Sequence, residues 1–177
     1  MRNHGFCRTE SIAKRMGGWA YQMRELGYNY RVTDFQCALG LSQLEKIDSF
    51  LKRRREIAVQ YNRAFSERKD RVRLPEPSMK DRKHAFHLYL FRLKLESSKL
   101  NRRKLYEILR TKGIMAQVHY MPVYHHPFYK RILGRNYCPN AEKYYTEVLS
   151  LPIFPGLLNQ EAERVIRIVQ RALGDYQ

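Results

Sequence analysis

Between Thr33 and Phe65 the apolar residues recur at helical spacing, with Phe35, Leu39, Leu44, Ile47, Leu51, Ile57, Ala58, Tyr61 and Phe65 tracing one stripe. Opened by the Thr33–Asp34 cap signal, the stripe predicts one long helix over 33–65, with its apolar side as core. The residues just ahead of it are unusual company for a cap. Asn29, Tyr30 and Arg31 set an amide, a phenol and a cation at the mouth of the helix. Helix N-termini carry unpaired N–H groups and the positive end of the macrodipole, so this mouth predicts a phosphate site with side-chain donors beside it. The plainer reading is an ordinary capped helix with packed tyrosines.

The rest of the chain alternates in kind. Residues 1–32 read as irregular, broken by Gly5, Gly17, Gly18 and Gly27. His84 to Leu95 alternates as a strand, with Phe86, Leu88, Leu90 and Arg92 on one face and His87, Tyr89, Phe91 and Leu93 on the other. Asn101 caps a helix to about Lys112, stopped by Gly113. Ile114 to Tyr120 reads as a second strand. Short helices follow over 128–133 and 139–149, then a stiff Leu151–Gly156 connector, then a helix from Asn159 to about Leu173. The fold class is α/β: a long helix plus a small, mostly antiparallel sheet covered by helices. Two parts are expected, an irregular stretch 1–32 and a domain over 33–177.

At 177 residues with 44% hydrophobic composition the chain can bury one core. A net charge of +17 draws polyanions, and raises the alternative of a basic nucleic-acid or polyanion-binding protein centred on Lys52, Arg53, Arg54 and Arg55. That run lies inside the helical pattern among Glu45, Asp48 and Glu56, so it reads as a solvated helix face. No finger, basic zipper or RNP motif accompanies it, which makes nucleic acid the weaker partner. No apolar run reaches the ~20 residues of a membrane helix. The first residues offer no apolar core for a secretory signal. Cys7, Cys37 and Cys138 are odd in number and far apart, as reduced thiols in a cytoplasm would be. No Cys or His spacing predicts a metal site.

Six blocks occur in a fixed order: ELGYNYRVTDFQCALGLSQLEKID, RRREIAVQYN, HLYLFRL, GIMAQVHYMPVY, NAEKYY and LSLPIFPGL. Together they resemble the sugar aminotransferases of the DegT/DnrJ/EryC1/StrS family, pyridoxal-phosphate (PLP) enzymes that aminate keto-sugars carried on a nucleotide. The nearest likeness is to those acting on a 4-keto sugar linked to UDP, as in the pseudaminic-acid pathway. The resemblance implies the C-terminal small domain of a fold-type-I aminotransferase, with 1–32 as the end of the large domain and an interface loop.

It also implies roles. Asn29 matches the asparagine whose amide reaches the cofactor phosphate of the other subunit, with Tyr30 and Arg31 flanking it. An amide suits that task because it donates without adding charge. Gln117, Val118, His119, Tyr120 and Pro122 match the strand end that lines the nucleotide-sugar pocket. The family's Schiff-base lysine, pyridine-nitrogen carboxylate and stacking aromatic all precede the Asn3-His4-Gly5 equivalent, so the chain is expected to carry no catalytic residue of its own and to be inactive alone. It would act as a homodimer or with a complementing N-terminal half, with glutamate as amino donor. Lys14, in Ser11-Ile12-Ala13-Lys14, imitates the family's Ser-x-x-Lys but follows His4-Gly5, and is set aside.

Overall fold

The computed structural model describes residues 2–76, 78–79, 82–97, 99–134 and 138–175. Their contacts divide the chain into two compact units, Met1–Ile47 and Asp48–Gln177. The sequence suggested a division after residue 32.

In the first unit, β1 (Phe6–Cys7) pairs antiparallel with β2 (Gln22–Met23), and α1 (Glu10–Met16) lies between them in sequence. Residues 1–32 are therefore not wholly irregular. Thr9 caps α1 by accepting from the Ile12 amide at 3.4 Å. A second pairing, Asn3 with Asn29, draws the start of the chain alongside the segment entering α2 (Asp34–Leu44).

The expected helix over 33–65 is two helices, α2 and α3 (Ile47–Phe65). At the break, the Lys46 amide bonds to Gln43 O, three residues back rather than four. The physical reason is support: α2 buries no side chain, so its apolar stripe adds no packing energy to hold the helix through Glu45 and Lys46. In α3 the stripe does become core. Ile57, Ala58, Tyr61 and Phe65 are buried, and full burial of a large apolar side chain contributes ~1.5–3 kcal/mol.

The second unit is built on a three-stranded antiparallel sheet in the order β3 (Val72–Arg73), β6 (Tyr89–Leu93), β7 (Val148–Leu151). The register sets Val72 opposite Leu93 and Phe91 opposite Leu149. A separate hairpin joins β4 (Ser78–Met79) and β5 (Arg82–Lys83). The helices α4 (Arg102–Thr111), α5 (Pro127–Leu133), α6 (Pro139–Glu147) and α7 (Asn159–Asp175) complete the described elements. Leu105 and Leu109 of α4 and Val165, Val169 and Leu173 of α7 join the same core as Tyr89, Phe91 and Leu93. The result is α/β, with helices packed on a small antiparallel sheet.

Three expectations change here. The strand over 84–95 is only Tyr89–Leu93, because Phe86 takes φ +47°, a left-handed conformation no strand accommodates. Burial of its ring and a bond from its amide to His84 Nδ1 (2.8 Å) hold it there. The strand over 114–120 reduces to one residue, Gln117, which exchanges both main-chain bonds with Ser150 at 3.1 and 2.7 Å. Val148–Leu151, expected as a helix end and connector, is instead a strand buried on both faces.

The basic run is not a solvated face either. Arg54 Nη1 lies 3.0, 3.2 and 2.9 Å from the carbonyl oxygens of Phe86, His87 and Ile153. Arg53 donates to Leu157 O at 2.5 Å and Arg55 to His84 O at 3.1 Å. These half-buried guanidinium groups clamp loops to α3; Lys52 alone of the four is exposed.

Candidate functional site

The first group of predicted residues sits where the chain start runs beside the approach to α2. The Tyr30 amide donates to Arg2 O at 2.8 Å and the His4 amide to Tyr28 O at 2.9 Å, bracketing the Asn3–Asn29 pair. Arg31 donates from Nη1 to Asn3 Oδ1 at 2.6 Å, which fixes the guanidinium while leaving its other N–H groups free of partners among the described residues. The Tyr28 and Tyr30 rings stack at 5.0 Å, 7° apart. The Asn29 side chain is exposed and makes no hydrogen bond among the described residues. An amide, a phenol and a guanidinium on a pinned backbone are a donor set that fits a phosphate.

The helix mouth itself offers less than its sequence suggested. Thr33 and Gln36 form a reciprocal capping box, with Gln36 N donating to Thr33 Oγ1 and Thr33 N to Gln36 Oε1. Asp34 adds a carboxylate to the first turn. Anion-holding capacity therefore rests on the side chains of Asn29, Tyr30 and Arg31. Asn3 is the residue that sequence reasoning missed; its place in the Asn3-His4-Gly5 block was the available signal.

The second group belongs to the second unit. Gln117 is held by its two bonds to Ser150, and Val118 packs against the core. His119 Nδ1 lies 2.7 Å from Ser150 Oγ, its ring edge-on to Tyr120 at 4.6 Å. Tyr120 is 72% exposed. Pro122 then leads into the turn Val123–His125, which brings His125 Nε2 to 2.7 Å from Glu142 Oε1 of α6. Burial pushes the Tyr124 phenol up from its ordinary value, with Glu142 adding to the effect. Ser150 was also missed, although a lone serine in the apolar Val148–Leu151 run marks a polar group needing a partner.

Lys14 lies on α1, exposed and ion-paired with Glu10 at 2.8 Å. Cys7, Cys37 and Cys138 are free thiols. Among the described residues no three His, Cys, Asp or Glu side chains cluster to hold a metal ion, and no helix is long and apolar enough to cross a membrane.

Comparison with known proteins defines the class first. The chain aligns with Helicobacter pylori PseC, an aminotransferase involved in the biosynthesis of pseudoaminic acid, at TM-score 0.81 and 27% identity, covering 98% of this chain and 44% of that one. A Streptococcus pneumoniae protein assigned as a sugar aminotransferase, in its PMP form, aligns at TM-score 0.81 and 25% identity, over 98% and 43%. The fold is that of part of a PLP aminotransferase. The DegT/DnrJ/EryC1/StrS aminotransferase family model matches residues 1–170, and the chain belongs to that family, whose aminotransferases are PLP-dependent. A Campylobacter jejuni UDP-4-amino-4,6-dideoxy-N-acetyl-beta-L-altrosamine transaminase is 39% identical over 93% of this chain and 41% of its own length. An uncharacterized protein of Methanocaldococcus jannaschii is 36% identical over 99% and 46%. The chain thus spans less than half the length of the curated relatives it matches.

Proposed function

We propose that this chain is the C-terminal part of a cytoplasmic, PLP-dependent aminotransferase that moves an amino group from glutamate to a nucleotide-linked keto-sugar, with a UDP-linked 4-keto sugar as acceptor. The observation that carries the reading is the family match over residues 1–170, joined to an Asn29 amide left exposed on a backbone pinned by Asn3. PLP, where bound, supplies the electron sink for amine transfer.

Every group assigned to this chain binds rather than reacts. Asn29, Tyr30 and Arg31 donate hydrogen bonds to the cofactor phosphate of a neighbouring subunit. Gln117, Val118, His119, Tyr120 and Pro122 contact the sugar nucleotide, His119 through the ring nitrogen not engaged by Ser150. The lysine that links the cofactor comes from outside these 177 residues. Lys14 supports that view: it stands in solvent on an exposed helix, paired with Glu10 at 2.8 Å. The domain division follows: the first unit carries the interface loop and the second is the small domain.

The apolar stripe of α2 supports an assembly. Phe35 is 90% exposed, and Leu39, Leu41 and Leu44 are exposed with it, a patch a monomer would not keep in water. A second copy, or a complementing N-terminal half, covers it. The nucleic-acid alternative loses its centrepiece, because Arg53, Arg54 and Arg55 are engaged with main-chain carbonyls.

The test is reconstitution. Co-express the chain with the N-terminal half of the Campylobacter jejuni transaminase, and follow ¹⁵N from labelled glutamate into UDP-4-keto sugars by NMR. Transfer by the complex, and none by the chain alone, is expected. A complex that forms and retains PLP yet aminates no nucleotide sugar defeats the reading.

A further inference from the structure

A cavity of about 720 Å³ opens in the second unit against the C-terminal half of α3, lined by none of the site residues assigned above. Its volume lies within the ~300–1,000 Å³ of small-molecule sites. Arg63 comes from α3, Lys69 from the turn after it, Arg73 from β3 and Lys94 from the end of β6, and they face a single carboxylate, Glu76. Four cations against one carboxylate leave three net positive charges on one cavity. The floor is apolar: Val59, Val72, Leu74 and Pro75.

The walls are already fixed. Asn62 donates to Pro75 O at 3.3 Å and accepts from the Tyr89 hydroxyl at 2.7 Å. Lys94 donates to Lys69 O at 2.5 Å, its amide bonds to Arg71 O at 2.7 Å, and Ser66 donates to Arg63 O at 2.8 Å. The charges are not so satisfied. The Arg63 and Lys69 side chains have no hydrogen bond or ion pair among the described residues, and Arg73 acts only at a distance on Glu96. Gathered on one wall, these solvated like charges raise the positive potential over the cavity mouth, and an anion that enters is drawn to it.

We propose that this cavity is a binding site for an organic diphosphate whose apolar or aromatic body rests on Val59, Val72, Leu74 and Pro75. A monophosphate ester carries about −1.5 to −2 at neutral pH, and a second phosphate brings the ligand's charge close to that of the lining. Guanidinium forks grip its oxygens in pairs. An inorganic anion would leave the apolar floor in water. The site is independent of the aminotransferase reading, since no lining residue belongs to either group of predicted contacts.

The experiment uses the whole chain in physiological salt. Titrate it with inorganic pyrophosphate, ADP and geranyl diphosphate, reading affinity by calorimetry and location by amide NMR shifts. At least one organic diphosphate is expected to bind at least tenfold more tightly than pyrophosphate, with shifts at Val72, Leu74 and Lys94; ADP against geranyl diphosphate tells an aromatic from an aliphatic body. Arg63→Gln with Arg73→Gln, both exposed, should weaken it at least tenfold with Tm unchanged. Arg103→Gln with Arg110→Gln, removing equal charge from α4, should change it less than twofold. Equal loss in both pairs would mean only the general field of a +17 chain and overturns the site. So does pyrophosphate binding as tightly as the organic diphosphates, or the absence of saturable binding.

Discussion

His119 and Ser150 meet at 2.7 Å, ring nitrogen to hydroxyl, and this contact fixes the imidazole to the one strand that also holds Gln117. With Nδ1 engaged, Nε2 is the nitrogen left for a ligand, and the hydroxyl, able to donate or accept, holds the ring's orientation in either tautomer. Ser150→Ala should cost about 1 kcal/mol of stability. In the reconstituted enzyme it should raise KM for the nucleotide sugar several-fold while changing kcat little. Imidazole ¹⁵N shifts of His119 in the chain alone provide the check: unchanged shifts would mean that the hydroxyl does not govern the ring.

Which parts of this fold were legible follows from where the signals reside. Capped helices such as α4, where Asn101 Oδ1 accepts from the Lys104 amide, are local events and read directly from sequence. The strand Val148–Leu151 was not, because a short apolar run packs equally well as helix or strand until its neighbours are known. Phe86 was not legible either: beside the local bond from its amide to His84 Nδ1, its left-handed backbone is supported by burial of its ring and by the Arg54 bond to its carbonyl, thirty-two positions away. The same clamp explains why the basic run misled, since charge is visible in sequence but its engagement by distant carbonyls is not. At the candidate site the residue types were legible, while their supports, Asn3 and Ser150, were not.

Arg54 serves three carbonyls, so its loss should be felt by the fold rather than by polyanion binding. Arg54→Met should destabilise by about 2 kcal/mol, the worth of hydrogen bonds to a charged donor. Lys52→Gln, on the exposed position of the same run, should stay within about 0.5 kcal/mol. Chemical denaturation of both variants decides it, and equal stabilities would return the run to a solvated face.

Asn29→Ala should weaken cofactor retention in the reconstituted enzyme about tenfold, as when a hydrogen bond to a charged group is removed. The defect should act across subunits. Mixed with a variant lacking the cofactor-linking lysine, it should regain activity, because one site of each heterodimer then carries neither lesion. Heterodimers without recovered activity would assign Asn29 to its own subunit.

Burial pushes the Tyr61 and Tyr89 phenols well above their ordinary value near 10, and Tyr61 raises Tyr89 further. Each is hydrogen-bonded as the neutral form, Tyr61 to Pro152 O at 2.9 Å and Tyr89 to Asn62 Oδ1 at 2.7 Å. The folded state therefore holds these protons more tightly than the unfolded chain. Their stabilisation is complete below about pH 10 and is lost as pH rises beyond it. Tyr61→Phe with Tyr89→Phe should be less stable at pH 7, by about 1 kcal/mol for each lost bond. Between pH 9.5 and 11.5 its decline should be shallower. Urea midpoints across that range test the sign, and parallel decline in both proteins refutes it.

The exposed stripe of α2 makes the last prediction one about association. Phe35, Leu39 and Leu44 continue the periodicity that becomes core in α3, yet none is buried in this chain. At ~25 cal/mol per Å² an interface taking in such side chains gains several kcal/mol, enough to offset the entropy of holding two chains together only if the patch is buried as a whole. Two aspartates in its centre should therefore abolish association rather than weaken it slightly. Wild-type chain should sediment with a concentration-dependent, larger-than-monomer component, and Phe35→Asp with Leu39→Asp should run as monomer. Because α2 contributes no buried residue, the far-ultraviolet spectrum and the Tm of the second unit should not change with it. Association that survives both substitutions would mean that another surface joins the chains, and α2 would then be left for the complementing half.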